Sequence, residues 1–211
     1  MIWIVALCLV CFAVCLPLFM YYKKTMRYHL AACYKSLGTL CSFLLALIAA
    51  VRLDPRCSIC AVALFLYAVA DYLLEFHLML GAGFFLAGHI CNIAFFAGLA
   101  SVSGTHLIFF LILFGFFAFV FYRWKKQIGR QLPVFALYGV GLCLMSAFAA
   151  GCFSAQTLSG ILIAVGGILF YFSDTLILRR ILFPTDRWIS WIIMISYYAA
   201  LLLFGIACLQ L

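Results

Sequence analysis

Charge is what this chain has least of. Of 211 residues only five are acidic (Asp54, Asp71, Glu75, Asp174 and Asp186), and charged residues of both signs make up 9%. A soluble domain carries about 25%. With 70% hydrophobic residues and a mean hydropathy of +1.31, no soluble core of this size could hide the apolar side chains. The composition excludes a soluble domain and predicts an integral membrane protein.

Several patterns of chemistry are missing too. There is no HExxH and no cluster of three histidines, so no metal site is supported. No glycine-rich loop follows a strand, and the absence of GxSxG argues against a serine-lipase elbow. No cofactor is called for. Most of the 11 cysteines lie in apolar runs, where a free thiol acts as a small hydrophobe. The loop-edge pair Cys57-Ser-Ile-Cys60 lacks a second CxxC or a nearby histidine. A redox pair or half a metal site is the functional reading, and packing is the plainer one. The N-terminal apolar run has no positive n-region and is long enough to span, which marks a membrane helix rather than a cleaved signal.

What is present is apolar runs, divided by short basic clusters. They predict an all-α bundle of eight transmembrane helices in one domain over 1–211. Expected spans are 2–22, 29–51, 57–77, 79–101, 105–122, 132–153, 156–178 and 188–209. Lys23, Lys24 and Arg27, then Arg123, Lys125, Lys126 and Arg130, then Arg179, Arg180 and Arg187 occupy loops on one side. Arg52 and Arg56 flank Asp54 on the other. This asymmetry puts the basic loops in the cytoplasm and both termini outside. The net charge of +8 then serves anionic headgroups, with membrane lipids as partners and no nucleic acid. The halves echo each other in "VADYLL" and "FSDTLI". Either they form a parallel repeat of two four-helix halves, or two apolar helices match by chance.

Four charged residues fall inside spans: Lys35, Asp71, Glu75 and Asp174. Ionisable groups in a bilayer are costly and usually face the bundle interior. At ~1.5 Å per residue, Lys35 and Asp71 lie roughly 9 Å inside the cytoplasmic boundary and Asp174 roughly 6 Å. His89, Tyr197 and Tyr198 come slightly deeper. Asp71 and Glu75, at i and i+4, share a helix face, while Tyr72 and Leu74 point elsewhere. A shared polar pocket near the cytoplasmic face follows. Plainer roles exist for each residue. Glu75 is solvated at the interface, Lys35 snorkels, His89 makes an interhelical hydrogen bond, the tyrosines pack, and the aspartates clamp helices.

Two carboxylates in one partly dry pocket can divide labour as general acid and as activator of water. That suits bonds that break through an oxocarbenium-like state, and a vinyl ether is one. A lipid-like substrate would reach such a pocket.

"YKSLGTL" (34–40), "ADYLLEFHLMLGAGFFLAGHICNIAFF" (70–96) and "GGILFYFSDTLILRR" (166–180) resemble the three marker segments of YhhN-type membrane proteins, the lysoplasmalogenase family. Order, spacing and eight spans agree over nearly the whole chain. The resemblance implies hydrolysis of the vinyl-ether bond of lysoplasmalogens to a fatty aldehyde and a glycerophospho-base, without metal or organic cofactor. It matches Asp71 and Asp174 to the family's aspartates and Lys35 to its lysine, while Gly81, Phe85 and His89 echo its Gly-x-x-x-Phe-x-x-x-His element. The sequence departs from the pattern at Ser36, Asn92 and Leu201, where proline, tyrosine and glutamine are common. Asp71 and Asp174 are thus the expected catalytic pair. Lys35, His89 and Glu75 are the expected binding residues for a lysophospholipid, with Tyr197 and Tyr198 lining the pocket. The alternative is a proton-coupled transporter or lipid-binding protein using the same aspartates.

Overall fold

The computed structural model describes residues 2–184 and 186–211, the side chains of Ile2 and Arg130 excepted. Arg130, counted among the basic loop residues, therefore lies with its side chain outside the described set. Every regular element in the described residues is helical.

The first helix, α1, runs through Ile2–Leu9, a π-helical stretch Val10–Cys15, and Leu16–Lys24. The widening sits just ahead of Pro17, whose ring cannot fit over the carbonyl four residues back. The remaining helices are α2 (Tyr28–Arg52), α3 (Cys57–Leu73), α4 (Leu78–Ala97), α5 (Gly104–Ile128), α6 (Leu132–Gly151), α7 (Leu158–Leu182) and α8 (Arg187–Cys208). Pro55, Pro133 and Pro184 punctuate helix ends. Thr157 caps α7 by accepting from Gly160 N–H at 3.0 Å, and Ser103 with His106 closes a capping box on α5.

Seven of the helices are long and apolar enough to cross a membrane. The eighth, α3, has 17 residues, or about 25 Å at 1.5 Å per residue, the lower end of the spanning range. The protein is a multi-pass helical membrane bundle. Two boundaries move in ways that matter for the site. The third span ends at Leu73 instead of residue 77, because Leu74–Phe76 turn. The seventh continues to Leu182, past Arg179 and Arg180. On the face opposite the basic loops, Arg56 is forked onto Asp54 at 2.7–3.2 Å. Those hydrogen bonds hold the Asp54 carboxyl below the usual carboxylate range.

In the interior α8 is the most buried span, and α5 is the least. Packing repeats between the halves. Helices α1, α2, α3 and α4 pack in sequence, as do α5, α6, α7 and α8. The two most extensive cross-half contacts are α2 with α8 and α6 with α4, and α8 also meets α1 and α3. A parallel repeat exchanges the first two contacts. A parallel repeat would put α3 and α7, the two aspartate helices, at equivalent positions.

Candidate functional site

Lys35 and Thr39 are one turn apart on α2 and so share a face. Both reach Asp71 on α3. The Thr39 hydroxyl donates to Asp71 Oδ2 at 2.5 Å, and the Tyr197 hydroxyl, from α8, donates to the same oxygen at 2.8 Å. Lys35 Nζ lies 3.1 Å from Oδ1, an ion pair whose angles leave that oxygen without a hydrogen bond. Asp71 is 0% exposed and Lys35 7%. Two neutral donors and a cation on one carboxylate are what a charge in a dry interior requires.

Asp174, on α7, is 8% exposed. It accepts a hydrogen bond from the Tyr138 hydroxyl of α6, and Ser173 Oγ approaches Oδ1 at 3.5 Å. No cation forms an ion pair with it among the described residues. The two aspartates thus have unlike surroundings, one met by an ammonium and the other by a phenol.

Both line one cavity of about 90 Å³. Lys35, Asp71, Tyr138, Asp174 and Tyr197 form its polar end, and α4 to α8 supply apolar walls. Met79, Phe116, Val134 and Ile181 line the cavity and are 43%, 50%, 41% and 44% exposed. These four mark the rim. Ile181 lies seven residues beyond Asp174 on α7, so the cavity runs roughly 10 Å from the carboxylates towards the basic end.

Not every expected residue reaches this cavity. Glu75 falls in the turn after α3, so its i, i+4 relation to Asp71 no longer places it on the same face. It pairs with Lys23 at the end of α1. His89 is wholly buried and lies outside the cavity wall. Its Nδ1 shares a 2.7 Å hydrogen bond with Tyr67, whose oxygen also accepts from Asn92 at 3.1 Å. Tyr198 turns away from the cavity and donates to the Lys35 carbonyl at 3.0 Å. Its ring fills the space a side chain on Gly38 would need. Leu74, expected to point elsewhere, lines the cavity, whereas Tyr72 is exposed. Of the departures from the family pattern, Ser36 ties α2 to α3 through the Ala68 carbonyl at 2.7 Å, and Leu201 is core.

Tyr138 was missed from the sequence. One signal was there: Tyr138 precedes Asp174 by 36 residues, and Lys35 precedes Asp71 by the same interval. Lysine and tyrosine thus stand at the same spacing from the aspartates they face, as a parallel repeat would have them. Cys57 and Cys60 are both 0% exposed, and Cys57 Sγ meets the Cys208 carbonyl at 3.6 Å. Among the described residues no three His, Cys, Asp or Glu side chains are arranged to hold a metal ion.

The model of the YhhN family matches residues 30–207. No curated protein and no solved structure matches the chain.

Proposed function

The chain belongs to the YhhN family, and from that premise we propose that it is a lysoplasmalogenase-like hydrolase. It would cleave the vinyl ether of alkenyl lysophospholipids near the cytoplasmic face. The observation that carries this reading is the joining of two unlike carboxylates to one largely apolar cavity with an apolar rim.

Asp174 faces a phenol and no cation, which suits the proton donor. It protonates the β-carbon of the vinyl ether, leaving an oxocarbenium at the α-carbon. Asp71, with Lys35 at its side, takes a proton from water as the water oxygen bonds to that carbon. The resulting hemiacetal collapses. Asp71 returns its proton to the ether oxygen and Asp174 removes the hydroxyl proton, so both carboxyls regain their starting forms. Fatty aldehyde and glycerophospho-base leave. Tyr197 and Thr39 hold Asp71, and Tyr138 holds Asp174. The apolar walls exclude bulk water from the cation.

The test is aldehyde release from an alkenyl lysophospholipid by purified protein. Asp71→Asn and Asp174→Asn should each lower the rate by about 10²–10⁴-fold. Full activity in both variants would end this mechanism. The transporter reading draws on the buried Tyr67–His89–Asn92 network, which leaves His89 Nε2 and Asn92 Oδ1 without partners among the described residues. Solute flux in proteoliposomes with no aldehyde release would favour it.

A further inference from the structure

The two oxygens of Asp71 are unevenly used. Both lone pairs of Oδ2 are taken, by the Thr39 hydroxyl at 2.5 Å and the Tyr197 hydroxyl at 2.8 Å. Oδ1 is buried and accepts no hydrogen bond among the described residues, although Lys35 Nζ lies 3.1 Å away. That ammonium carries three donors, and among the described residues Asp71 is its only partner. With one N–H turned to Oδ1, two donors and one lone pair remain open. Both side chains line the cavity, and buried polar groups are almost always paired, so the open positions are met by what the cavity holds. We propose that Lys35 and Asp71 Oδ1 together bind the free sn-2 hydroxyl of the lysolipid and so select the lyso form as substrate. The inference rests on the lipid-hydrolase reading and deepens it.

The chemistry of the pair picks out this group. An ammonium and a carboxylate 3.1 Å apart cancel each other's charge. A phosphate placed there would set a second negative charge against a carboxylate that is 0% exposed, where like charges repel most. What suits the pair is a neutral group that accepts from an N–H and donates to Oδ1. A hydroxyl does both, an ether or ester oxygen only accepts, and a methylene does neither. In the glycerol backbone of an alkenyl lysophospholipid, the sn-2 hydroxyl alone meets that requirement.

Its place in the substrate suits the reaction. The hydroxyl oxygen is four bonds from the vinyl α-carbon, through the ether oxygen and two glycerol carbons, or at most roughly 5 Å. The attacking water approaches the same carbon to about 3–3.5 Å. A carboxylate oxygen has two lone pairs. Oδ1 can therefore hold the hydroxyl with one and take the proton of the water with the other, while Lys35 donates to the hydroxyl oxygen. Binding the hydroxyl thus sets the vinyl ether against the base. An sn-2 acyl group removes the donor and leaves that position on Oδ1 unmet. A site built to hydrogen-bond a hydroxyl rejects an analogue that lacks it for this reason.

The experiment measures binding rather than turnover, on the full chain in detergent micelles. The probes are three saturated 1-O-alkyl phospholipids, which have no vinyl ether and carry hydroxyl, hydrogen or methoxy at sn-2. The wild type should bind the hydroxyl lipid about 10–100-fold more tightly than the other two, the range for a hydrogen bond to a charged group. The double variant Lys35→Met/Asp71→Leu removes donor and acceptor together and leaves neither charge buried alone. Its preference should fall to about one. Asp174→Asn leaves the pair intact and should keep the wild-type preference, which separates the effect from general damage to the cavity. Equal binding of the hydroxyl and hydrogen lipids by the wild type would give the pair to water alone and overturn the proposal. A preference that survives in the double variant would overturn it too. No bond is broken in this assay. A wild-type preference without aldehyde release from an alkenyl lysophospholipid would sink the reaction and leave the hydroxyl subsite standing, and aldehyde release without the preference would do the reverse.

Discussion

Lys35→Met tests whether the cation beside Asp71 is part of the fold as well as the site. Methionine keeps most of the length of the lysine stem and removes only the charged end. At 3.1 Å and an effective dielectric of 20, the pair attracts by about 5 kcal/mol. The side chains are 9% and 0% exposed, so little water is at hand to replace the lost partner. The hydroxyls of Thr39 and Tyr197 stay in place and offset part of the loss. A destabilisation of about 3 kcal/mol is expected, the lower end for breaking a buried pair. The measurement is equilibrium unfolding in mixed detergent micelles, run as a double-mutant cycle with Asp71→Asn. Each single variant leaves one buried charge unpaired, whereas the double variant leaves none. The double should therefore be more stable than either single, with a coupling of at least about 2 kcal/mol. A Lys35→Met cost under about 0.5 kcal/mol together with no coupling would refute the reasoning.

Three other outcomes follow from the same geometry. Tyr138→Phe removes the only tyrosine donor to Asp174 among the described residues and should lower aldehyde release about tenfold or more while the unfolding midpoint barely moves. Gly38→Ala would place a Cβ 2.6 Å from Tyr198 Cζ; calorimetry should show a loss of about 1–3 kcal/mol from overpacking, against the usual gain of about 1 kcal/mol for alanine in a helix. Ala82→Trp fills the cavity wall beside Phe85, and equilibrium binding of a long-chain lysophospholipid should be lost without loss of thermal stability.

Much of the site was legible because charge is so scarce. Asp71, Asp174 and Lys35 stood out against apolar spans, and Tyr197 followed from its depth; all four line the cavity. Depth counted from helix ends was a weaker guide. Asp71 is two residues from the end of α3, and Asp174 is eight from the end of α7, yet they share one space. Glu75 was placed with Asp71 because the third span was taken on to residue 77, although Glu75-Phe-His77 marks a turn, and the helix already stops at Leu73. Tyr138 was hard to single out among 11 tyrosines, since a tyrosine in a span more often packs than donates to a carboxylate, and only its interval to Asp174 set it apart.

The sequence by itself determined the phase in which this protein folds. A chain this apolar must bury its backbone polar groups within helices in a bilayer, and its breaks and basic clusters set the number and order of spans. Rotation of each helix about its axis is different. It is set by packing between helices distant in sequence, to which local periodicity is nearly blind when every face is apolar. Only the tertiary structure decided that Asp71 meets Lys35, Thr39 and Tyr197, that Asp174 meets Tyr138, and that His89 and Tyr198 turn away from the cavity.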